Sequence, residues 1–238
     1  YIVLLVFIIR EILNSTPKTS INLNENKTPR SNFANNVSNN NIVQIGYEEM
    51  RVIKRECLSK IFAPDSFSIN DLPFNSSVKN RAVLFDTPYF IDGKLRDVIF
   101  EIAQDLGEEG FYLFMIVGDK YEHNEGANWY IPYSEADKYP ELIHPVLSNF
   151  IFSPTGKWAI LLEYDQYQFI GGDDSFYELF KEKYPELEEN LLTSLLYSKD
   201  HADRGVDMGT WMKKIYGHVY GEKKAKALFE SVGLYFDE

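Results

Sequence analysis

The sequence predicts an α+β fold: an antiparallel β-meander of about five strands flanked by helices, with a helical C-terminal third. Two observations lead to this prediction. Ser153–Gly172 has the pattern of a β-hairpin, because the turn residues at 153–156 precede two apolar and aromatic runs separated at 165–166. On both sides of this stretch, apolar residues recur three and four positions apart, which is the periodicity of amphipathic helices.

The N-terminal 41 residues are predicted to lie outside the folded domain. Residues 1–13 form an apolar stub, in which Tyr1–Ile9 is too short to span a bilayer, since a span needs about 20 residues. The stub is either the end of a membrane anchor, followed by basic residues that would hold the remainder in the cytoplasm, or a segment packed on the domain. Residues 14–41 contain ten asparagines and no periodicity, which predicts a disordered linker.

Residues 42–238 are predicted to form a single α+β domain. Two amphipathic helices are expected at 47–62 and 95–106, with a short strand at 82–85 between them. Dense apolar runs then predict the strands of the meander, which are 111–117, 129–133, 150–152 and the two halves of the hairpin. A helix from Ser134 to Ile143 is expected between the second and the third of these strands. Such short connections favour antiparallel neighbours.

The C-terminal third follows a glycine pair that is expected to end the last strand and to serve the turn, Gly171–Gly172. Asp173 and Asp174 are candidate caps for a helix that Pro185 interrupts. A leucine-rich helix follows, then a polar loop and two final helices. Their predicted ranges are 187–196, 200–209, 211–220 and 225–232.

The charge of the chain is strongly and unevenly acidic. The net charge is −12, which divides into +3 over residues 1–60 (8 basic, 5 acidic) and −15 over residues 61–238 (16 basic, 31 acidic). This excess serves solubility, or it steers a basic partner towards the domain. It also repels nucleic acid, so no nucleic-acid partner is expected.

No short motif identifies a reaction. The single cysteine, Cys57, allows no intramolecular disulfide, which favours a reducing compartment and a cytoplasmic location. No phosphate loop, nucleophile elbow or zinc pattern is present, so neither a cofactor nor a metal is predicted. The densest polar cluster is Asp200, His201 and Asp203, which suits either the general-base or metal site of a hydrolase or an ordinary surface loop.

Candidate partner-binding residues lie at the two ends of the hairpin. Glu163, Tyr164, Asp165 and Tyr167 place acidic groups beside amphipathic rings, a combination that is common at protein contacts. Asp173 and Asp174 add two further acids after the second strand. Burial of the tyrosines against the helices is the alternative interpretation.

These residues also resemble a known group of proteins. Ser153, Pro154, Gly156 and Trp158, followed by Gly171–Gly172 and Phe176, are similar to a pattern in small acidic bacterial proteins. Many of those are immunity proteins encoded beside polymorphic toxins. The resemblance implies a binding protein that blocks a toxin by stoichiometric contact, and the acidic charge of the chain makes a basic toxin the expected partner. The apolar stub and the asparagine-rich linker depart from the compact pattern of that group, so the protein is expected in the cytoplasm, either free or tethered through residues 1–13. A hydrolase and a structural envelope protein are the rival interpretations.

Overall fold

The computed structural model describes residues 41–63, 73–84, 90–91, 93–115, 128–143, 148–163, 168–204 and 209–234. All of them belong to one compact unit, Asn39–Glu238. The predicted stub at 1–13 and, apart from Asn41, the predicted linker at 14–41 lie outside the described residues. Within the described ranges, no helix has both the length and the apolar character needed to cross a membrane.

A seven-stranded antiparallel sheet forms the centre of the fold. The strands, numbered in chain order, are β1 Val43–Gln44, β2 Asn80–Leu84, β3 Gly110–Met115, β4 Asn128–Pro132, β5 Asn149–Phe152, β6 Trp158–Leu162 and β7 Gln168–Gly172. Their order across the sheet is β1-β4-β3-β5-β6-β7-β2. The predicted α+β class is therefore confirmed, and the sheet has two strands more than the predicted meander.

The two additional strands lie at the edges of the sheet. The two-residue β1 pairs with β4, and β2 pairs with β7 in a register that places Ala82 opposite Ile170. The β2–β7 pairing joins segments almost ninety positions apart, and such a contact leaves no local signal in the sequence. Only β5, β6 and β7 follow one another as a simple meander, because β3 lies between β4 and β5.

Six α-helices and two 3-10 helices are described around the sheet. The α-helices are α1 Tyr47–Glu56, α2 Gly93–Asp105, α3 Asp174–Lys183, α4 Leu187–Asp203, α5 Gly209–Tyr220 and α6 Glu222–Ser231. The 3-10 helices are Leu58–Lys60 and Tyr133–Glu141.

Three of the predicted helix boundaries need correction. The helix expected at 47–62 ends at Glu56 and continues only as a 3-10 turn. The helix expected to start at Ser134 is a 3-10 helix that Pro132 precedes. The predicted polar loop at 200–209 is wrong for its first four residues, because α4 continues to Asp203. In the leucine pattern only Leu191 and Leu195 are buried, whereas Leu192 and Leu196 are exposed. The polar last turn of α4 resembles a loop in sequence.

Helices cover both faces of the sheet. On one face, Phe150, Phe152 and Phe169 join an apolar cluster with residues of α1, α4, α5 and α6. On the other, Phe111 of β3 stacks on Phe100 of α2 with the ring centroids 4.8 Å apart. Trp158 of β6 stacks similarly on Phe176 of α3, at 5.6 Å. All five residues of β6 are apolar and buried, as is typical of a strand that is covered on both sides.

The glycine pair forms the last two residues of β7, so the strand ends there as predicted, and both glycines are paired with β2 and β6. A Cβ atom at Gly171 would come within 2.6 Å of Phe74 Cε1, and one at Gly172 within 2.7 Å of Phe176 Cδ1. Real Cβ atoms essentially never approach other heavy atoms this closely. The two glycines therefore make room for aromatic rings, one on each face of the sheet.

Candidate functional site

The turn before β6 is organised around a buried carboxylate, Glu108. Its Oε2 accepts a hydrogen bond from Trp158 Nε1 at 3.0 Å, and its Oε1 accepts one from Thr155 Oγ1 at 2.6 Å. Ser153 Oγ also donates to Oε1. A buried charge is tolerated only when donors compensate for its lost hydration. Glu108 is therefore a structural anchor that ties the start of β6 to the end of α2.

The remaining residues of the Ser-Pro-x-Gly-x-Trp motif also have structural roles. Gly156 has a φ of 71°, and a Cβ atom there would come within 2.7 Å of Lys60 Cδ. The Pro154 carbonyl accepts a hydrogen bond from Cys57 Sγ at 3.0 Å. Burial raises the pKa of the Cys57 thiol, so the sulfur is held in the unreactive thiol form. The motif thus specifies a turn and its packing.

The predicted partner-binding residues that the structure describes lie at the two ends of the hairpin. Glu163 follows β6, where it accepts a hydrogen bond from Ser148 Oγ at 2.5 Å. Asp173 and Asp174 follow β7 at the opposite end of the strand pair, because Trp158 lies beside Gly172 and Leu162 beside Gln168. The five-residue strands separate the two groups by roughly 16 Å. Tyr164, Asp165 and Tyr167 lie outside the described residues.

Asp173 and Asp174 both have local partners. Asp173 caps α3, as predicted, by accepting the Phe176 backbone N–H at 2.9 Å, and it also accepts from Ser175 Oγ at 2.6 Å. Asp174 accepts from Asn80 Nδ2 at 2.6 Å. These bonds fix the start of α3 against the edge strand β2.

The predicted hydrolase cluster lies in the last turns of α4. Asp200 is exposed and pairs with Arg204 at 2.6 Å, and Asp203 is exposed and pairs with Lys199 at 2.5 Å. Both pairs have the i, i+4 spacing that stabilises a helix surface. Nothing is described of the His201 side chain. In the described part of the chain, no group of three or more His, Cys, Asp or Glu residues is arranged to hold a metal ion.

The densest acidic feature lies between α2 and the 3-10 helix Tyr133–Glu141. Asp97, Glu101 and Asp105 are exposed at i, i+4 and i+8 on α2, and Asp137 faces them from the 3-10 helix. They line a shallow groove of about 380 Å³, which also touches the largely buried side chains of Phe100 and Ala136. We call this feature the acidic groove.

Two cations are shared among the four carboxylates of the acidic groove. Arg96 reaches Asp97 at 2.8 Å and Asp137 at 3.3 Å. Lys183 of α3 reaches Glu101 at 2.7 Å and Asp105 at 2.9 Å. The hydrogen bond to Asp97 raises the pKa of Arg96, and the hydrogen bonds to Glu101 and Asp105 raise the pKa of Lys183. The groove thus keeps two negative charges in excess.

The acidic groove was not among the predicted sites, although the sequence groups three of its four carboxylates. The spacing of Asp97, Glu101 and Asp105 places all three on one face of the predicted helix. Asp137 could not be assigned to the same surface, because only the packing of the 3-10 helix beside α2 brings it there.

Comparisons with known proteins do not assign the chain: no family model, no curated protein and no solved structure matches it.

Proposed function

We propose that this protein is a binding protein of the immunity type, which holds a basic protein partner against the acidic groove by stoichiometric contact. The observation that supports this proposal is the arrangement of the groove, in which four carboxylates share two cations. The charge of the domain and the resemblance of the β6 turn to acidic immunity proteins point in the same direction. A basic toxin is the class of partner that we expect.

The carboxylates of the groove can accept a partner without rearrangement of the fold. Each has two oxygens with about four acceptor positions, and the internal cations occupy only part of them. Asp97, Glu101 and Asp137 are exposed by more than half of their side chains. Exposed ion pairs contribute little to stability. An arginine or lysine of the partner can therefore join or replace Arg96 and Lys183 at low cost.

Phe100 and Ala136 line the groove but are largely buried, so the surface offered to a partner is mainly charged. Charges at such a contact contribute to partner choice and association rate. A segment of the partner with several lysines or arginines fits this surface.

The test is a binding measurement with the purified product of the adjacent reading frame. Isothermal titration should give a 1:1 complex with the whole chain. The triple variant Asp97→Asn, Glu101→Gln, Asp105→Asn should weaken that complex by at least about tenfold, because three contacting charges are lost.

A matched control removes three exposed acids from α1: Glu48→Gln, Glu49→Gln, Glu56→Gln. It has the same net charge as the groove variant and should bind like the wild type. Absence of a complex, or equal weakening by the two triple variants, would contradict the proposal.

A further inference from the structure

A second charged feature lies beside β2, the edge strand of the sheet that is farthest from β1. It is a cleft of about 430 Å³, which is within the size range of small-molecule sites. Residues of α3 and α4 form one side and residues of α5 and α6 the other, with Leu191 and Val219 among the apolar ones. We call it the basic cleft, because its charge has the opposite sign to that of the chain.

Four cations line the basic cleft, Lys79, Arg81, Lys181 and Lys224, against one carboxylate, Glu188. Lys181 pairs with Glu178 outside the cleft at 2.7 Å. Across the described ranges, Lys79, Arg81 and Lys224 form no ion pair with a carboxylate. In a protein with 36 acidic residues, three such cations in one cleft create a local positive potential that attracts anions.

Two tyrosines hold the walls of the cleft in place. The Tyr177 hydroxyl donates to the Arg81 carbonyl at 3.1 Å, and the Val83 backbone N–H donates to the Tyr220 hydroxyl at 3.0 Å. Both bonds are made to the edge strand β2. The rings are therefore fixed relative to the sheet, one from α3 and the other from α5.

Each fixed ring positions an ammonium group. Lys181 Nζ lies 5.7 Å from the centroid of the Tyr177 ring, and Lys224 Nζ lies 5.3 Å from that of Tyr220. These are cation–π distances, which favour positions of the two ammonium groups over the fixed rings. A phosphate in the cleft would meet both groups near those rings.

We propose that the basic cleft binds a small organic phosphate, with the phosphoryl group between Lys181 and Lys224 and the apolar or aromatic portion against Tyr184 and Leu187. A phosphoryl dianion matches the excess of cations over carboxylates. Lysine ammonium groups are common phosphate ligands, and they act as point charges. This ligand site is separate from the acidic groove, and its test does not depend on the proposed partner.

The probe is phenyl phosphate, titrated into the whole 15N-labelled chain and followed by NMR and calorimetry. Saturable 1:1 binding is expected with a Kd at or below about 1 mM. The amide shifts should concentrate at 79–81 and around Lys224. Inorganic phosphate should bind more weakly, and phenol should not bind measurably.

The double variant Lys181→Gln, Lys224→Gln should weaken phenyl phosphate binding by at least about tenfold. The control Lys54→Gln, Arg55→Gln removes the same charge from α1 and should leave the Kd within about twofold. Thermal melting shows whether the cleft variant and the control variant are folded. If the cleft variant is unfolded, the position of the amide shifts in the wild type tests the proposal instead.

Four results would overturn the proposal: no saturation at about 10 mM phenyl phosphate, shifts located away from the cleft, equal affinities of the wild type and the cleft variant, or equal affinities for phenyl phosphate and inorganic phosphate.

Discussion

Glu108 is the single side chain on which most of the β6 turn depends. Replacement by alanine leaves the buried Trp158 N–H and two hydroxyls without their acceptor. We expect Glu108→Ala to lower the free energy of unfolding by roughly 2–4 kcal/mol, because a buried donor then loses its hydrogen bond. Urea unfolding followed by tryptophan fluorescence measures this change.

The adjacent Glu109 provides the control, because its side chain is exposed. Glu109→Ala should change the free energy of unfolding by less than about 0.5 kcal/mol. Equal effects of the two substitutions would show that the buried carboxylate does not anchor the turn.

His218 is held in its neutral form by its surroundings. Its Nε2 accepts the Phe74 backbone N–H at 3.3 Å, and Arg81 Nη1 lies 3.2 Å from the same nitrogen. Burial, with a further contribution from the Arg81 charge, lowers the pKa of His218 from 6.5 to about 4. A neutral imidazole is the form that can accept these hydrogen bonds.

This pKa shift predicts a loss of stability in mild acid. Between pH 6.5 and about 4 the unfolded chain binds a proton at His218 that the folded chain does not, so the free energy of unfolding falls as the pH falls. Because the ring is only partly buried, we expect a loss of roughly 1–2 kcal/mol, less than the full shift would give.

The variant His218→Asn removes this titration. Its free energy of unfolding, measured in urea at several pH values, should fall less steeply than that of the wild type between pH 6.5 and about 4. Parallel pH curves for the two proteins would mean that His218 titrates normally in the folded state.

At the scale of the elements, β7 packs closely against aromatic rings on both faces of the sheet. We expect Gly171→Ala to lower the free energy of unfolding by roughly 1–3 kcal/mol, because the added methyl group overlaps Phe74 and Ile61. Thermal and urea unfolding give the value.

The matched control is Gly46→Ala, where a Cβ atom would meet nothing within 4 Å. Gly46 is the N-cap of α1, so this change should cost no more than about 1 kcal/mol through the weaker cap. A smaller effect at Gly171 than at Gly46 would contradict the packing described for β7.

The elements that sequence alone predicted are those with local signals. The apolar periodicity of α2 and the Asp173 cap of α3 depend on neighbouring residues, and both were predicted. The place of β2 beside β7 and the role of Gly171 depend on Phe74 and other distant residues. Such contacts depend on tertiary packing, and no local pattern specifies them.

The same distinction holds for the candidate sites. Asp97, Glu101 and Asp105 could be grouped from helical spacing, whereas Asp137 required the packed 3-10 helix. The predicted contact residues Glu163 and Asp173 were placed at the two ends of the hairpin, and the register of β6 and β7 keeps those ends apart.

At the scale of the whole domain, α3 takes part in two surfaces of opposite charge. Its Lys183 reaches the acidic groove, while its Tyr177 and Lys181 line the basic cleft. The net negative charge is thus not spread evenly, since carboxylates meet on α2 and cations meet over β2. This separation is the physical basis for proposing two different ligands, a basic protein and a small phosphate.

The association rate constant of the chain with the product of the adjacent reading frame, measured as a function of salt concentration, tests the role of the acidic groove most directly. Electrostatic steering predicts a fall of about tenfold or more between roughly 50 and 500 mM salt for the wild type. A much weaker salt dependence is expected for the variant Asp97→Asn, Glu101→Gln, Asp105→Asn. The same salt dependence in both proteins would contradict the claim that the acidic groove receives the partner.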